Sequence, residues 1–521
     1  MSGADAYSEA LRLDALGRYA EAQKLCQQIL KAAPKHPDVH HLAGVVYFHA
    51  GQYDDAIRHL KEAMKLKPDF TDAAGNLAKA YYRKAKWREL IHLLAAKPAT
   101  ADTLTQIGFA EEQLGDIDAA MATYRRALDV NPDAAEAHNN IGAILTRRGD
   151  VAAAQTHLDR ALAAAAPPAT ALLNLAMLHE GAGRADEAAA TYARILQNDP
   201  DNALVHFQRA MTLLSQGHFT EGWQEYHWRF RRPGTRTLHA VFTMPFWNGE
   251  PLKGRKLLVW TEQGPGDEIL LASMIPDVIA LGAELTLACS PRLVPLFRRS
   301  FPTARIVSNE KLQQVGAHDF QASFSHLGAA LRADFNAFPR AGAFLRAEDS
   351  KRTALRSTYQ SGDPARRLIG IAWHSANPIA EAQKSTALQD WAPILKTPDV
   401  TFVNLQYGDH SAKAAATEAA FGCKIITDKA INPLKDIDGF AAQVAAMDHV
   451  VSVSNTTVHV AGGLGVPTSV LVPKVFGKIW YWFLERADSP WYSALTLHRQ
   501  TQAGDWSDVV AATAHQIGQP S

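Results

Sequence analysis

Up to residue 233 the apolar and polar positions read as one helix after another, and from Lys256 they break into short β-branched or leucine-rich runs separated by helical stretches. Apolar runs that alternate with helical patterns are the signature of a parallel sheet covered by helices. Strands are expected at Leu257–Thr261, Leu285–Cys289, Arg305–Val307 and Phe320–Phe324, then at Leu368–Trp373, Thr401–Gln406, Lys424–Thr427, His449–Ser454 and Thr468–Val472. A polar stretch holding Glu348, Asp349, Gly362, Asp363 and Pro364 separates the two blocks.

The helical part repeats. Turn glycines fall at Gly17 and Gly51, then at Gly115, Gly149, Gly183 and Gly217, a step of 34 residues apart from one interval of 64, which is a unit of 34 plus one of 30. Pro34, Pro68, Pro98, Pro132 and Pro200 keep the same beat, with Ala166 and Pro167 in the remaining slot. Gly44, Tyr47, Tyr53, Ala56 and Ala63 of the second unit recur as Gly108, Glu111, Ile117, Ala120 and Ala127 of the fourth. Small residues at those offsets let antiparallel helices approach, and the glycine permits the left-handed turn between them. The pattern resembles the tetratricopeptide repeat, with about seven copies and a shortened third one over residues 1–233. Such a solenoid leaves a long concave groove that usually holds protein. His40, His41, His138 and His206 sit without ligand-like clustering and read as packing residues or parts of solvated faces, and Asp116 and Asp118 read as a helix start. The run Trp223, Tyr226, Trp228 and Phe230 is too aromatic for a solvent-facing end, so it is expected to pack on the following domain.

Charge and cysteine content narrow the function. The 53 basic and 53 acidic side chains cancel, which removes the electrostatic footprint of a general nucleic-acid binder. Three scattered cysteines fit neither a disulfide framework nor a zinc site, and no leader or long apolar run is seen, so a cytoplasmic protein without membrane insertion is expected.

Ligands of open parallel sheets bind beyond the carboxyl ends of the strands. At those ends stand Gln263, Gly264, Gly266 and Asp267; then His374 and Lys384; then Gln406 and Tyr407; then Ser454, Asn455, Thr456, Thr457 and His459. Gly264 and Gly266 begin a dinucleotide fingerprint, but Ile269 takes the place of its third glycine and no acidic residue ends the second strand, so nicotinamide and flavin are excluded. Asp267 at a helix start either satisfies orphan amides or acts in the cleft. The helix opened by Asn455, Thr456 and Thr457 offers amides and hydroxyls to an anion, with Asn455 as its cap and Lys384 as a compensating charge. Asp436 and Asp438 precede a helix instead of ending a strand, so no metal site and no cofactor is expected.

Gly266-Asp267 resembles the Gly-Asp pair of heptosyltransferase-type GT-B enzymes, whose aspartate is regarded as the catalytic base. Val453 to Gly462 is similar to their donor-phosphate segment, although Ser454 stands where their pattern often reads aspartate. The resemblance covers Leu252 to Gln500. It implies an all-α tetratricopeptide solenoid followed by an α/β GT-B domain of two facing Rossmann-like lobes: a linker over 234–251, a first lobe over 252–346, an inter-lobe linker over 347–366 and a nucleotide-sugar-binding lobe over 367–521. Joined to repeats, it is similar to flagellin glycosyltransferases and to the O-linked N-acetylglucosamine transferase arrangement. That implies an enzyme, inverting in its stereochemistry, that moves sugar from a nucleotide-sugar to Ser or Thr of a protein such as flagellin. Asp267 is then the base, and Gln406 and Tyr407 lie near the nucleoside. The competing readings are a lipid or oligosaccharide acceptor, and a repeat scaffold whose transferase domain has decayed.

Overall fold

The computed structural model describes residues 3–232, 242–261, 264–339, 342–375, 384–474, 479–502 and 504–519. The chain divides into two compact units, Met1–Asn174 and Leu175–Ser521.

Fourteen helices in antiparallel pairs run from Gly3–Ala15 to Phe219–Tyr226. The turn glycines have the conformation that their spacing demands, with φ from 72° at Gly17 to 85° at Gly217. The 64-residue interval hides a further turn at Ala85, which adopts φ 52° without being glycine. The helix after it, Trp87–Ala95, has nine residues where its counterparts have thirteen or fourteen in most pairs. Small residues at the helix crossings are steric requirements: a Cβ on Gly108 would lie 2.7 Å from the Tyr124 ring. Asp116 caps its helix by accepting from the Ala119 amide at 3.1 Å. The repeat histidines are structural. His40 and His138 each face a second histidine nineteen residues on, His59 at 3.1 Å and His157 at 2.8 Å, and each meets a proline carbonyl, Pro34 or Pro132, through Nε2.

The second unit contains two sheets. The first has the order β3-β2-β1-β4, all parallel, built from β1 (Lys256–Trp260), β2 (Glu284–Cys289), β3 (Arg305–Ser308) and β4 (Phe320–Ser323). The second contains β5 (Arg367–Ala372), β6 (Val400–Asn404), β7 (Ile425–Ile426), β8 (His449–Val453), β9 (Thr468–Val472), β10 (Asp488–Ser489) and β11 (Tyr492–Arg499). Its order is β10-β11-β9-β8-β5-β6-β7, parallel except for the β10–β11 pair. The strand bodies are apolar and buried on both faces, as a helix-covered parallel sheet requires.

The aromatic helix at the end of the repeats packs on the first sheet's helices. Trp223 is fully buried and donates from Nε1 to the Arg332 carbonyl at 3.0 Å, and Gly328 leaves room for its ring. Trp228 turns the other way and stacks on His206, 3.8 Å between centroids.

Candidate functional site

The helix Pro265–Ala272 starts just beyond β1, and the helix Thr456–Leu464 starts just beyond β8. The two touch at their first turns. A Cβ on Gly266 would sit 3.1 Å from His459 Cδ2 and 3.5 Å from Thr456 Oγ1, so the missing side chain at 266 lets the two helix starts approach closely beside Asp267. Gly264 caps the first helix without a side chain, and Gln263 lies outside the described residues.

Asp267 stands in the first turn of this helix. Its carboxylate is partly buried, and desolvation raises its pKa to about 6, against the opposing pull of the Lys384 ammonium. Lys384 is 5% exposed; burial lowers its pKa to about 8, with Asp267 pulling it back up. A base that ionises near neutrality beside a cation that titrates just above it is an arrangement common at reacting sites.

His459 is buried between two tyrosines. Nδ1 meets the Tyr492 hydroxyl at 2.8 Å, Nε2 meets the Tyr481 hydroxyl at 3.1 Å, and the ring stacks on Trp482 at 5.6 Å. Burial lowers its pKa to about 3, with Lys384 adding to the effect. With both nitrogens engaged and the ring neutral, His459 holds the aromatic turn Trp480–Trp482 in place and is not placed to take a proton. Trp482 donates to Ser454 Oγ at 2.8 Å, and Arg499 at the end of β11 donates to the Trp482 carbonyl. Trp480, Tyr481, Trp482 and Tyr492 escaped sequence reasoning, although four consecutive aromatics from Trp480 to Phe483 were a visible signal.

The remaining predicted residues form a second group that ties strand ends together. Gln406 Oε1 accepts from the Trp373 and His374 amides at 3.0 and 2.9 Å, and its Nε2 donates to the His374 and Tyr407 carbonyls. Asn455 Nδ2 donates to the His374 carbonyl at 3.2 Å, while Oδ1 accepts from the Thr457 amide and the Ser452 hydroxyl. The ends of β5, β6 and β8 are thereby fixed to one another. The anion seat is smaller than expected: Asn455 takes the Thr457 amide through its side chain and the Val458 amide through its carbonyl, because it is itself the cap. Thr456 is left to face Gly266. Asp436 caps through the Gly439 amide at 2.8 Å and Asp438 pairs with Arg299. No group of three or more metal-ligating side chains occurs among the described residues, and no described helix is long and apolar enough to cross a membrane.

Family models of the tetratricopeptide repeat match residues 13–58, 44–84, 108–149 and 145–203. The chain is 28% identical over 531 residues to Protein FlbA of Caulobacter vibrioides, covering 97% of this chain and 88% of that protein. It is 27% identical over 186 residues to the DnaJ homolog subfamily C member 7 homolog of Schizosaccharomyces pombe, 35% of each chain. Among solved structures, a crystal structure of MamA is 23% identical, covers 29% of this chain and 92% of that one, and has a TM-score of 0.27. The likeness to FlbA runs through both the helical part and the two sheets, whereas the family models fall in the helices alone. The chain carries tetratricopeptide repeats, followed by a region of two predominantly parallel sheets.

Proposed function

We propose that this protein is a glycosyltransferase of GT-B type that moves a sugar from a nucleotide-sugar to Ser or Thr of a protein acceptor held by the repeats. The observation that carries the reading is the close approach of Gly266, next to Asp267, to Thr456 and His459 at facing strand ends, with the Lys384 charge near enough to act on the Asp267 carboxylate. In this reading the acceptor O–H proton passes to Asp267 as the hydroxyl oxygen bonds to the sugar's anomeric carbon. The bond from that carbon to the donor phosphate breaks, and the departing charge is met by the Thr456 amide and hydroxyl and by Lys384. A protein cation and a helix end perform the neutralisation that a divalent ion performs elsewhere, so no metal is required. The repeats support a protein acceptor, of which flagellin is the instance that the sequence resemblance implies.

Calorimetric titration of the full chain with CMP, UDP, GDP and ADP, with and without a chelator, tests this. One nucleotide should bind with an affinity unchanged by chelation. Failure of all four would favour the second reading, a non-catalytic repeat scaffold. One observation speaks for that reading: the Ser454 hydroxyl and the Asn455 and Gln406 carboxamides are already engaged within the protein.

A further inference from the structure

Away from the Asp267 helix, a cleft of about 230 Å³ opens between the last two repeats and the segment that follows β9. One wall is formed by the helices Ala171–Gly181 and Ala203–Gln216, which contribute Met177, Glu180, Gln208 and Met211. The other is formed by Trp480 and Phe483.

Three properties restrict the occupant. The cleft is smaller than the roughly 300–1,000 Å³ typical of small-molecule sites, so it is too small for a nucleotide-sugar and of a size for a side chain or two. Its walls are mostly apolar, and Met177 is left 37% exposed, large for a methionine with an aromatic wall opposite. Its charged lining residue is Glu180, so a carboxylate-bearing ligand is disfavoured. Gln208, partly buried on the same wall, offers a carboxamide to an extended backbone.

The cleft also shares an element with the candidate site. Trp480 forms its wall, while the next two residues of the same turn, Tyr481 and Trp482, bond to His459 and Ser454. On the opposite edge Trp480 is held by Trp223, 5.3 Å between centroids in an edge-on contact.

We infer that this cleft is a recognition subsite for the acceptor polypeptide, taking one aliphatic side chain of an extended, non-acidic segment whose backbone is read by Gln208. The identity of the occupant as an acceptor rests on the transferase reading; the preference for an aliphatic, non-acidic peptide does not. An acceptor threaded there lies along the back of the turn whose front closes on His459, so a residue a short distance along the chain is the one presented to the reacting centre.

The test uses the full chain and a short peptide of Gly, Ser and Thr with a single central photo-leucine, alongside a twin in which aspartates flank the photo-leucine. After irradiation, adducts should concentrate on proteolytic fragments holding Met177, Met211 or Trp480, and the aspartate twin should give few. Met211→Trp, which fills the cleft, should lower the yield about tenfold, the loss of one buried side-chain contact. Met177→Asp should do the same from an exposed position that the fold tolerates, in case the tryptophan variant does not fold. Adducts scattered over the surface, equal labelling by the twin, or yields indifferent to both substitutions would overturn the subsite. Nucleotide titration of the same proteins separates the two ideas. Cleft adducts in a protein that binds no nucleotide would uphold an aliphatic-peptide subsite and overturn the transferase; nucleotide binding with scattered adducts would overturn the subsite alone.

Discussion

Replacing Asp267 with asparagine should make the protein more stable while abolishing transfer. The carboxylate ordinarily ionises near 3.8 and does so here only near 6, because burial penalises its charge. At pH 7 that displacement costs the folded state about 3 kcal/mol, at ~1.4 kcal/mol for each pKa unit. That figure already includes the attraction of Lys384, and the partial exposure of the carboxylate screens it, so the net gain from the amide is roughly 1–3 kcal/mol. The sign follows from proton binding. Between pH 3.8 and 6 the folded state holds a proton that the unfolded state has released, so the wild type loses stability as pH rises through this window. The gain from Asp267→Asn is therefore full at pH 7.5 and absent near pH 3.5. Chemical denaturation at the two values measures it, and nucleotide release with acceptor mass measures activity, which should fall about 10²–10⁴-fold. The wild-type profile of kcat/KM should rise through about pH 6 as Asp267 ionises and decline above about pH 8 as Lys384 loses its proton. A variant less stable at pH 7.5, with activity tracking the folded fraction, would mean that Asp267 is structural and would refute the argument.

Ala85→Gly should stabilise the repeats by roughly 0.5–1 kcal/mol by relieving φ 52° at a turn where the equivalent positions are glycine, a rise of about 1–3 °C in Tm by calorimetry; an unchanged or lower Tm would count against strain at this turn. His59, buried against His40 and the Arg58 charge, has its pKa lowered from 6.5 to about 4, so the unfolded chain gains a proton first as pH falls. Stability from this group is then complete above pH 6.5 and declines toward pH 4, by about 3 kcal/mol at most, and His59→Gln should flatten the slope of stability against pH. Equal slopes in variant and wild type would place the acid sensitivity elsewhere. Trp482→Phe keeps an aromatic ring but removes the indole nitrogen, its 2.8 Å bond to Ser454 and part of the buried ring volume, and should cost about 2–4 kcal/mol by denaturation, with a larger fractional loss of nucleotide affinity than Ser469→Ala, a buried change farther along the sheet.

The repeat beat was legible because a left-handed turn strongly prefers glycine, so a spacing in the sequence reports a backbone angle. Ala85 hid the third turn by breaking that preference while keeping the angle. Strand positions were legible from apolar runs, and each of the nine expected strands lies within a residue or two of an observed one. β11 was not read, since Tyr492–Arg499 is buried at some positions and half-exposed at others and carries Ser, Thr, His and Arg. At the site, the polar character of Gln406 and Asn455 was visible, but not their task. Polar residues at strand ends look alike whether they meet a ligand or one another's backbone, and only geometry separates the cases. Asp267 and Lys384 are far apart in the chain, so their mutual influence depends on a tertiary arrangement that local pattern does not encode.

The burial of Trp223 bears on how the molecule opens. Tandem repeats tend to behave as a one-dimensional array in which each helix pair is stabilised by its neighbours. The last pairs here have a different neighbour, because Trp223 and Tyr226 sit in one core cluster with residues of both sheets. Amide protection along Ala185–Tyr226 should thus follow the sheets and be lost only when they unfold, whereas Gly3–Ala163 exchanges in a separate opening event. The boundary of cooperative unfolding is thus expected inside the repeats, near Asn174, about two helix pairs before the end of the repeat pattern.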